Sequence, residues 1–161
     1  MALEHDRLLD ETGWEILELL QQDARVPFSE LGRKVGLSAP AVAERVRRME
    51  DAGIITGYRA QVNLQALGYA MTAIIRLSSP AEKCTLAGHK LAELPEVLEA
   101  HRVTGEDSWV VRVAVRSVEH LERLINQINL YGDSNTAIVL SSAVTQRVIS
   151  KPKEQATTPR R

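Results

Sequence analysis

The chain of 161 residues contains a single cysteine, Cys84, and few aromatic side chains, which make up 4% of the sequence. One cysteine excludes an internal disulfide framework and a zinc site built from several cysteines. No apolar run reaches the ~20 residues that a membrane-spanning helix needs. The amino terminus is acidic and lacks an apolar core, so no secretory signal is expected. We therefore expect a cytoplasmic protein that does not contact a membrane.

The patterns typical of enzymes are also missing. The four histidines show no metal-ligand spacing, and neither a His-Glu-x-x-His pattern nor a phosphate-binding loop occurs. Ser141 and Ser142 lack the context of a nucleophile elbow. Cys84 falls on the apolar face of a predicted helix, as a packing residue does. The sequence therefore predicts no catalytic residue, no bound metal and no cofactor.

Charge is present in ordinary amount but is unevenly distributed. Hydrophobic residues make up 44% and charged residues 25% of the chain, and the net charge is −1. Residues 1–24 carry seven acidic residues against one basic, whereas residues 25–59 carry seven basic against four acidic. The positive block coincides with strong helix signals, so it is the expected place for a polyanion site. The alternative is a solvated helical face.

Three short helices are predicted in the first part of the chain. Each is preceded by a residue whose side chain can accept from the free N–H groups of a helix start, namely Asp10, Ser29 and Ser38. Gly36 and Gly53 can adopt the left-handed conformation that ends the second and third helices. The tight turn between these two helices is typical of a helix-turn-helix.

After Gly53 the pattern changes to strands that alternate with helices. Residues 54–62 are expected to be extended, as a minimal wing and a connecting strand. The remainder has the order βαββαβ, which is a ferredoxin-like arrangement. Its strands are expected at about residues 71–77, 97–104, 108–116 and 136–148.

The expected fold class is α+β, with a winged helix-turn-helix domain at residues 1–54 and a ferredoxin-like αβ domain at residues 68–150. Residues 55–67 are expected to form a linker strand, and residues 151–161 a disordered basic tail. If both helices of the αβ domain pack on one sheet face, the other face is uncovered. It would hold Thr72, Ile74, Arg76, Val110, Arg112 and Ala114, whose apolar members favour self-association. The alternative is a monomer with a solvated sheet face.

The third helix carries the candidate DNA-binding residues. Val42, Val46 and Met49 recur at i, i+4 and i+7 and predict its core stripe. The opposite face can meet base edges in a major groove, and it holds Pro40, Ala43, Glu44 and Arg47.

These residues suggest different contacts. Arg47 can pair with guanine, and Glu44 can accept from the amino group of cytosine. Arg48 and the helix start at Ser38 and Ala39 are better placed for phosphate. Arg45 lies near the core stripe and is interpreted as a structural partner of an acidic neighbour.

Particular runs of residues match a known family. They are Leu-Gln-Gln-Asp-Ala-Arg at 20–25, Gly36-Leu37-Ser38, Glu50-Asp51-Ala52-Gly53-Ile54-Ile55, Leu67-Gly68-Tyr69 and Pro95-Glu96-Val97. From about Leu9 to Val148 the chain resembles the Lrp/AsnC (feast/famine) transcriptional regulators, and within them the LrpC-like members. The resemblance implies a winged helix-turn-helix joined to an αβ (ACT-like, or RAM) sensor domain. It further implies dimers that pair through their sheets, tetramers of dimers (octamers) that wrap DNA, and an amino-acid effector bound between dimers.

The loop between the paired strands is the candidate effector site. Gly105 permits a turn that exposes backbone N–H groups to a carboxylate, and Glu106 or Asp107 can pair with an ammonium group. The resemblance points to the family's effector loop, Gly-Asp-x-Asp followed by an aromatic residue. The second acid is displaced here, because Ser108 occupies its place. The expected effector-binding residues are Thr104, Gly105, Glu106, Asp107, Ser108 and Trp109, and the alternative is a plain β-turn.

These observations predict a homo-oligomeric, nucleoid-associated transcriptional regulator that binds double-stranded DNA sequence-specifically and responds to an amino acid or related metabolite. Two alternatives stay open. One is an architectural protein that wraps DNA without a ligand, which the displaced loop acid favours. The other is a metabolite-sensing or metabolic αβ protein that does not bind DNA, against which the Arg47–Arg48 pair counts.

Overall fold

The computed structural model describes residues 7–152, which divide into two compact units. One unit comprises residues 7–60 together with 144–152, and the other comprises residues 61–143. The sequence-based domain boundaries stay predictions, and the expected tail lies outside the described residues from residue 153 onward. Within the described chain, no helix has the length and apolar character to cross a membrane.

Within the part of the chain that the structure describes, the first unit contains the helices α1 (Glu11–Gln22), α2 (Phe28–Val35) and α3 (Ala39–Asp51). Their apolar stripes meet in one core, which consists of Ile16, Leu20, Leu31, Val42 and Val46. The predicted core stripe of α3 is confirmed, because Val42, Val46 and Met49 are all buried. The stripe turns the opposite face of α3 outward.

Two of the three predicted helix caps are confirmed. The Asp10 carboxylate accepts from the N–H of Gly13 at 2.8 Å, and the Ser38 hydroxyl accepts from the N–H of Ala41 at 3.4 Å. The predicted cap at Ser29 is wrong, since α2 already begins at Phe28 behind Pro27. Proline suits this position because its fixed φ is compatible with a helix entry, and its carbonyl accepts the first helical bonds.

A close backbone approach shapes the turn between α2 and α3. Gly36 ends α2 with a φ of 72°, as predicted, and the N–H of Leu37 donates to the carbonyl of Gly32 at 2.9 Å. A Cβ atom on Gly32 would lie 2.3 Å from the carbonyl oxygen of Leu37. Glycine at position 32 therefore permits the tight packing that places the start of α3.

The wing strand predicted at residues 54–62 does not form. Residues 54–70 form no strand, and Gly53 and Gly57 both have positive φ values, of 70° and 147°. A strand needs a neighbouring strand to satisfy its backbone groups, and none is paired with this segment within residues 7–152. The segment is instead tied to α3 by Tyr58, whose hydroxyl donates to Oε1 of Glu50 at 2.9 Å.

The segment at residues 144–152 returns to α1. The side-chain amide of Gln21 donates to the carbonyl of Ile149 at 3.0 Å, and its carbonyl accepts from the N–H of Ile149 at 2.8 Å. One glutamine therefore satisfies both backbone groups of Ile149, as a neighbouring strand would.

The second unit confirms the predicted βαββαβ order. Its elements are β1 (Met71–Ser78), α4 (Ala81–Glu93), β2 (Val97–Arg102), β3 (Trp109–Val115), α5 (Val118–Ile128) and β4 (Asp133–Ile138). The sheet order is β2-β3-β1-β4, and every neighbouring pair is antiparallel. This is the ferredoxin-like arrangement.

The extent of β4 differs from the prediction of residues 136–148. The strand starts at Asp133, opposite Ser78, and ends at Ile138, opposite Ala73. One further bond, from Val139 to Thr72, closes the ladder. Because β1 begins at Met71, the chain beyond residue 140 has no residue of β1 left to pair with, whatever its β-propensity.

Both helices of this unit pack on one face of the sheet. The core joins Ala73, Ile75 and Leu77 of β1 and alternate residues of β3 to the buried residues of α4 and α5. The opposite face holds the six predicted residues, which lie in register across β1 and β3 as Thr72–Ala114, Ile74–Arg112 and Arg76–Val110. Ala114 is buried, Arg76 is exposed, and the others are half-buried.

We expect Gly32→Ala to lower the free energy of unfolding of the helical unit by about 1–3 kcal/mol, because the added methyl group meets backbone that cannot move cheaply. If only helix propensity mattered, the same substitution would instead raise the free energy of unfolding by up to ~1 kcal/mol. Urea unfolding followed by Trp14 fluorescence, in a Trp109→Phe background, reports on this unit alone. The control Arg33→Ala, on the exposed side of α2, should stay within about 0.5 kcal/mol of its parent. An equally stable Gly32→Ala protein would contradict the close approach.

Candidate functional site

The outward face of α3 presents a compact group of polar side chains. Pro40, Glu44, Arg47 and Arg48 are exposed, and Ala43 is half-buried between them. At the helix start Ser38 is exposed and Ala39 is half-buried. All seven residues expected to meet DNA therefore belong to one helix and its cap. Their role in binding stays a prediction.

Arg47 is engaged along its own helix. Its guanidinium donates to both oxygens of Glu44, at 2.8 and 3.1 Å, and to Asp51 at 3.0 Å. These bonds raise the pKa of Arg47 and lower that of Glu44, with the Arg47–Glu44 hydrogen bond as the main cause in both. The two predicted base-reading side chains are thus held together, in solvent, at the centre of the face.

Arg48 stands apart from this cluster. Within residues 7–152 its side chain makes no hydrogen bond or ion pair, although its charge contributes to the lowered pKa of Glu44. Its guanidinium can therefore approach an anion without first breaking a contact. This is the arrangement expected of a phosphate contact.

The structural interpretation of Arg45 is confirmed. Its guanidinium forms two bonds to the carboxylate of Asp10, at 2.6 and 2.5 Å. The hydrogen bond to Arg45 is the main cause of the lowered pKa of Asp10. Because Asp10 also caps α1, this pair joins the start of α1 to the middle of α3 and fixes the angle at which α3 is presented.

Tyr58 holds the segment after α3 in place. Its hydroxyl bonds to Glu50, and desolvation followed by that bond raises the pKa of Tyr58 to about 12. The phenol therefore stays protonated at neutral pH and keeps donating to Glu50.

The predicted effector loop spans residues 103–108 between β2 and β3. Gly105 has a φ of 116°, as its turn position requires, and Thr104 and Glu106 are exposed while Asp107 is half-buried. The loop is anchored at both ends, by a bond from Val103 to Ser108 and by one from Ser78 to the Glu106 carbonyl. It is a well-held turn, and ligand binding by it stays a prediction.

Ser108 and Trp109 make inward contacts. The Ser108 hydroxyl accepts from the N–H of Ser79 and donates to the Ser79 carbonyl, both at 3.0 Å. The Trp109 indole N–H donates to the Cys84 carbonyl at 3.3 Å. Its ring lies so close to Gly88 that a Cβ atom there would be 2.6 Å away. Both side chains therefore brace the loop against β1 and α4.

Sequence reasoning missed two cavities of the αβ unit. One, of about 450 Å³, is polar and is lined by the β1–α4 turn, by Lys83 and by the turn before β4 at Gly132 and Asp133. The other, of about 300 Å³, lies between α4 and α5. Near each cavity the sequence signals only turn residues. Such residues predict that the chain turns, but they do not predict which turns come together in the fold.

No metal-binding cluster is seen. Among residues 7–152, no group of three or more histidine, cysteine, aspartate or glutamate side chains could hold a metal ion.

A helix-turn-helix unit with an outward arginine pair, here joined to a ferredoxin-like αβ unit, is typical of a DNA-binding protein. Family models agree with this class: an AsnC-type helix-turn-helix domain matches residues 9–50, and the Lrp/AsnC ligand binding domain matches residues 72–149.

Known proteins narrow the class to one family. The chain is 42% identical over 135 residues to the uncharacterized HTH-type transcriptional regulator YezC of Bacillus subtilis, a match that covers 84% of this chain and 96% of the relative. The solved structure of B. subtilis LrpC superposes with a TM-score of 0.81 at 30% identity, covering 86% and 99% of the two chains. The solved structure of Escherichia coli AsnC superposes with a TM-score of 0.80 at 34% identity, covering 87% of this chain and 97% of AsnC. The chain belongs to the Lrp/AsnC family.

We expect Arg45→Gln to lower the free energy of unfolding of the helical unit by about 1 kcal/mol at pH 7, a modest cost because the ion pair is partly exposed to solvent. The folded pKa of Asp10 is below its ordinary 3.8. The stability that the pair supplies is therefore present above pH 3.8 and is lost as the pH falls through the lower folded value.

Urea unfolding of both proteins between pH 7 and pH 2 checks this. The difference between wild type and Arg45→Gln should be constant at neutral pH and should close in the acid range. Arg48→Gln is the matched control. Its free energy of unfolding should differ little from that of wild type, and this difference should not change as Asp10 is protonated. If the difference in unfolding free energy between wild type and Arg45→Gln were as large at pH 2 as at pH 7, the stabilising role of the Asp10 carboxylate would be contradicted.

Proposed function

We propose that this regulator reads specific DNA sequences by inserting the outward face of α3 into the major groove. The observation that carries the proposal is the exposed Glu44–Arg47–Arg48 group on a helix whose opposite stripe is buried. A single α-helix fits a major groove, and arginine and glutamate distinguish guanine and cytosine there.

The pairing of Arg47 with Glu44 and Asp51 bears on how bases are read. All three side chains are more than half exposed, so the bonds are solvent-screened and easily exchanged. Arg47 can leave the carboxylates for the O6 and N7 atoms of guanine. Without DNA the carboxylates hold its guanidinium on the outward face, which limits the entropy that binding must remove.

Phosphate contacts come from the neighbouring groups. Arg48 is unpaired within the described residues and lies beside Arg47 on the helix. Ser38, Ala39 and Pro40 form the amino-terminal end of α3, where the backbone N–H of Ala39 and the positive end of the helix dipole favour an anion, although Pro40 has no N–H to donate. The Ser38 hydroxyl oxygen accepts only a long bond, of 3.4 Å, from the N–H of Ala41, and its own O–H can donate to a phosphate oxygen.

The sheet face that α4 and α5 leave open supports self-association into dimers and larger assemblies. Its apolar members include Ile74 and Val110. One of its two arginines, Arg112, is paired with Glu99 at 2.5 Å, whereas Arg76 is exposed and donates to the neutral amide oxygen of Asn135 at 3.1 Å. Paired charges cost less to bury in an interface than isolated ones.

The αβ unit is proposed to bind an amino acid and thereby change DNA affinity or assembly. A solved relative supports this: transcriptional regulator NMB0573 of Neisseria meningitidis was determined as an L-Met complex, and it superposes with a TM-score of 0.81 at 25% identity. We propose a regulator rather than an enzyme, since the similar proteins are HTH-type regulators. Action on chromosomal DNA supports a cytoplasmic, nucleoid-associated location.

A second candidate is an architectural DNA-wrapping protein without ligand control. One observation favours it: Ser108 replaces the family's usual loop acid, and its hydroxyl is committed to Ser79 as both donor and acceptor. A ligand that relied on this position would find no free group there.

We expect Arg47→Ala to cost about 1–3 kcal/mol on a specific site and to relax base preference. Arg48→Ala should weaken binding to all sequences alike and reduce the salt slope by about one. Selection of bound sequences from a random pool, followed by shift assays at several salt concentrations, separates the two effects.

Arg123→Ala is the matched control, because it removes an exposed arginine from α5 of the αβ unit. It should change neither base preference nor salt slope. Undiminished binding by the Arg47→Ala/Arg48→Ala double variant would rule out α3 as the reading helix.

For the ligand response, we expect at least one of the twenty amino acids to raise the Tm of the full chain, since a ligand that binds the folded state stabilises it. The same compound should change DNA affinity or oligomer size. Differential scanning fluorimetry and size-exclusion chromatography with light scattering measure both. A complete screen without any change would favour the architectural candidate.

A further inference from the structure

The hydrogen bonds of Arg47 are divided between two sides of its guanidinium group. Nε and Nη2 donate to the two oxygens of Glu44, at 3.1 and 2.8 Å, whereas Nη1 donates to Asp51 at 3.0 Å. The guanidinium is planar, and its five N–H groups point in fixed directions. The edge formed by Nε and Nη2 and the separate nitrogen Nη1 can therefore serve two different partners at the same time.

The Nε–Nη2 edge is the part of Arg47 that a guanine can take over. It already holds a pair of acceptors, the carboxylate oxygens of Glu44, and the O6 and N7 atoms of guanine form another such pair. Exchange of Glu44 for guanine replaces two hydrogen bonds with two and frees Glu44 to accept from a cytosine. Of the two carboxylates bonded to Arg47, only that of Glu44 has to be exchanged.

Asp51 lies where it can remain bonded during such an exchange. It is the last residue of α3, one helical turn beyond Arg47 and about 6 Å farther along the axis from the end at Ser38. It also follows Arg48 at i,i+3, another spacing at which side chains on a helix can pair. Its carboxylate nevertheless bonds Arg47, the arginine to which base reading has been assigned.

We propose that Asp51 is a positioning residue for base recognition, which keeps its bond to Nη1 of Arg47 in the DNA complex while the Nε–Nη2 edge binds guanine. The inference rests on the proposed reading of DNA by α3. In the free protein the side chains of Arg47 and Asp51 are 60% and 65% exposed, so solvent screens the pair. Docked DNA excludes water and strengthens the same bond. Because this gain arises only in the complex, it contributes to DNA affinity.

The bond of Asp51 favours guanine over phosphate as the partner of Arg47. Guanine needs two donors of one edge aligned with O6 and N7, whereas a phosphate oxygen can accept from any donor of the guanidinium. Fixing Nη1 supplies the alignment that guanine needs. The negative charge of Asp51 also disfavours a phosphate nearby. Removal of Asp51 should therefore weaken binding to a selected site without weakening binding to unrelated DNA.

Binding of full-length Asp51→Ala to a selected site and to unrelated DNA tests this role. The selected site should bind about fivefold more weakly, the effect of one ordinary hydrogen bond, and unrelated DNA should bind at least as tightly as to wild type. Glu50→Gln is the matched control, because it removes the same charge from the same helical turn and its amide oxygen can still accept from Tyr58. It should discriminate like wild type. Asp51→Glu keeps a carboxylate at i,i+4 and should restore most of the discrimination.

A modified base provides a measurement that a purely structural role of Asp51 would not change. The guanine to be modified is the one whose preference is lost in Arg47→Ala. Its replacement by 7-deazaguanine removes the N7 acceptor and should weaken wild type about fivefold but Asp51→Ala only about twofold, because the guanidinium is then no longer aligned. In an Arg47→Ala background, Asp51→Ala should change binding no more than Glu50→Gln does.

The outcomes separate this inference from the proposed function. The inference is overturned by an equal 7-deazaguanine effect in wild type and Asp51→Ala, or by a loss of discrimination in Asp51→Ala that persists without Arg47. In either case the proposed function stands if Arg47→Ala has lost its preference for one guanine. If Arg47→Ala keeps the full base preference of wild type, the proposed reading by Arg47 fails, and the role of Asp51 fails with it.

Discussion

The burial of one stripe of α3 is the constraint on which the DNA-facing surface depends. Val42, Val46 and Met49 are buried with at most 2% exposure, so the helix cannot rotate without losing its core contacts. The outward position of Arg47 and Arg48 follows directly. The ion pair of Asp10 and Arg45 then fixes the tilt of α3 against α1. Packing thus decides which side chains α3 turns outward.

Within that surface the two neighbouring arginines differ in what binding must break. In the proposed binding mode, Arg47 would exchange its bonds with Glu44 for bonds with a base, whereas Arg48 has no bond to exchange within the described chain. Such an exchange is favourable only with a partner of matching geometry, while an unpaired guanidinium meets any phosphate. The proposed binding mode therefore gives the same helix one selective contact and one unselective contact.

In the αβ unit, packing contacts hold the loop between β2 and β3 in one conformation. Ser108 joins the effector loop to the β1–α4 turn, and Trp109 fits over α4 because residue 88 is a glycine. These contacts make the loop a rigid part of the sheet.

The sequence by itself determined the three helices, the βαββαβ order, the buried stripes and the outward residues of α3, because periodicity and capping are local properties. It also indicated that Arg45 needed an acidic partner, but only the tertiary structure identified Asp10, 35 residues away. Tertiary pairing likewise decided where β4 ends and why no wing strand forms, since a strand extends only as far as its neighbour. The hydrogen bonds between Ser108 and Ser79 and the cavity between α4 and α5 also depend on tertiary structure, because they join segments that meet only after folding.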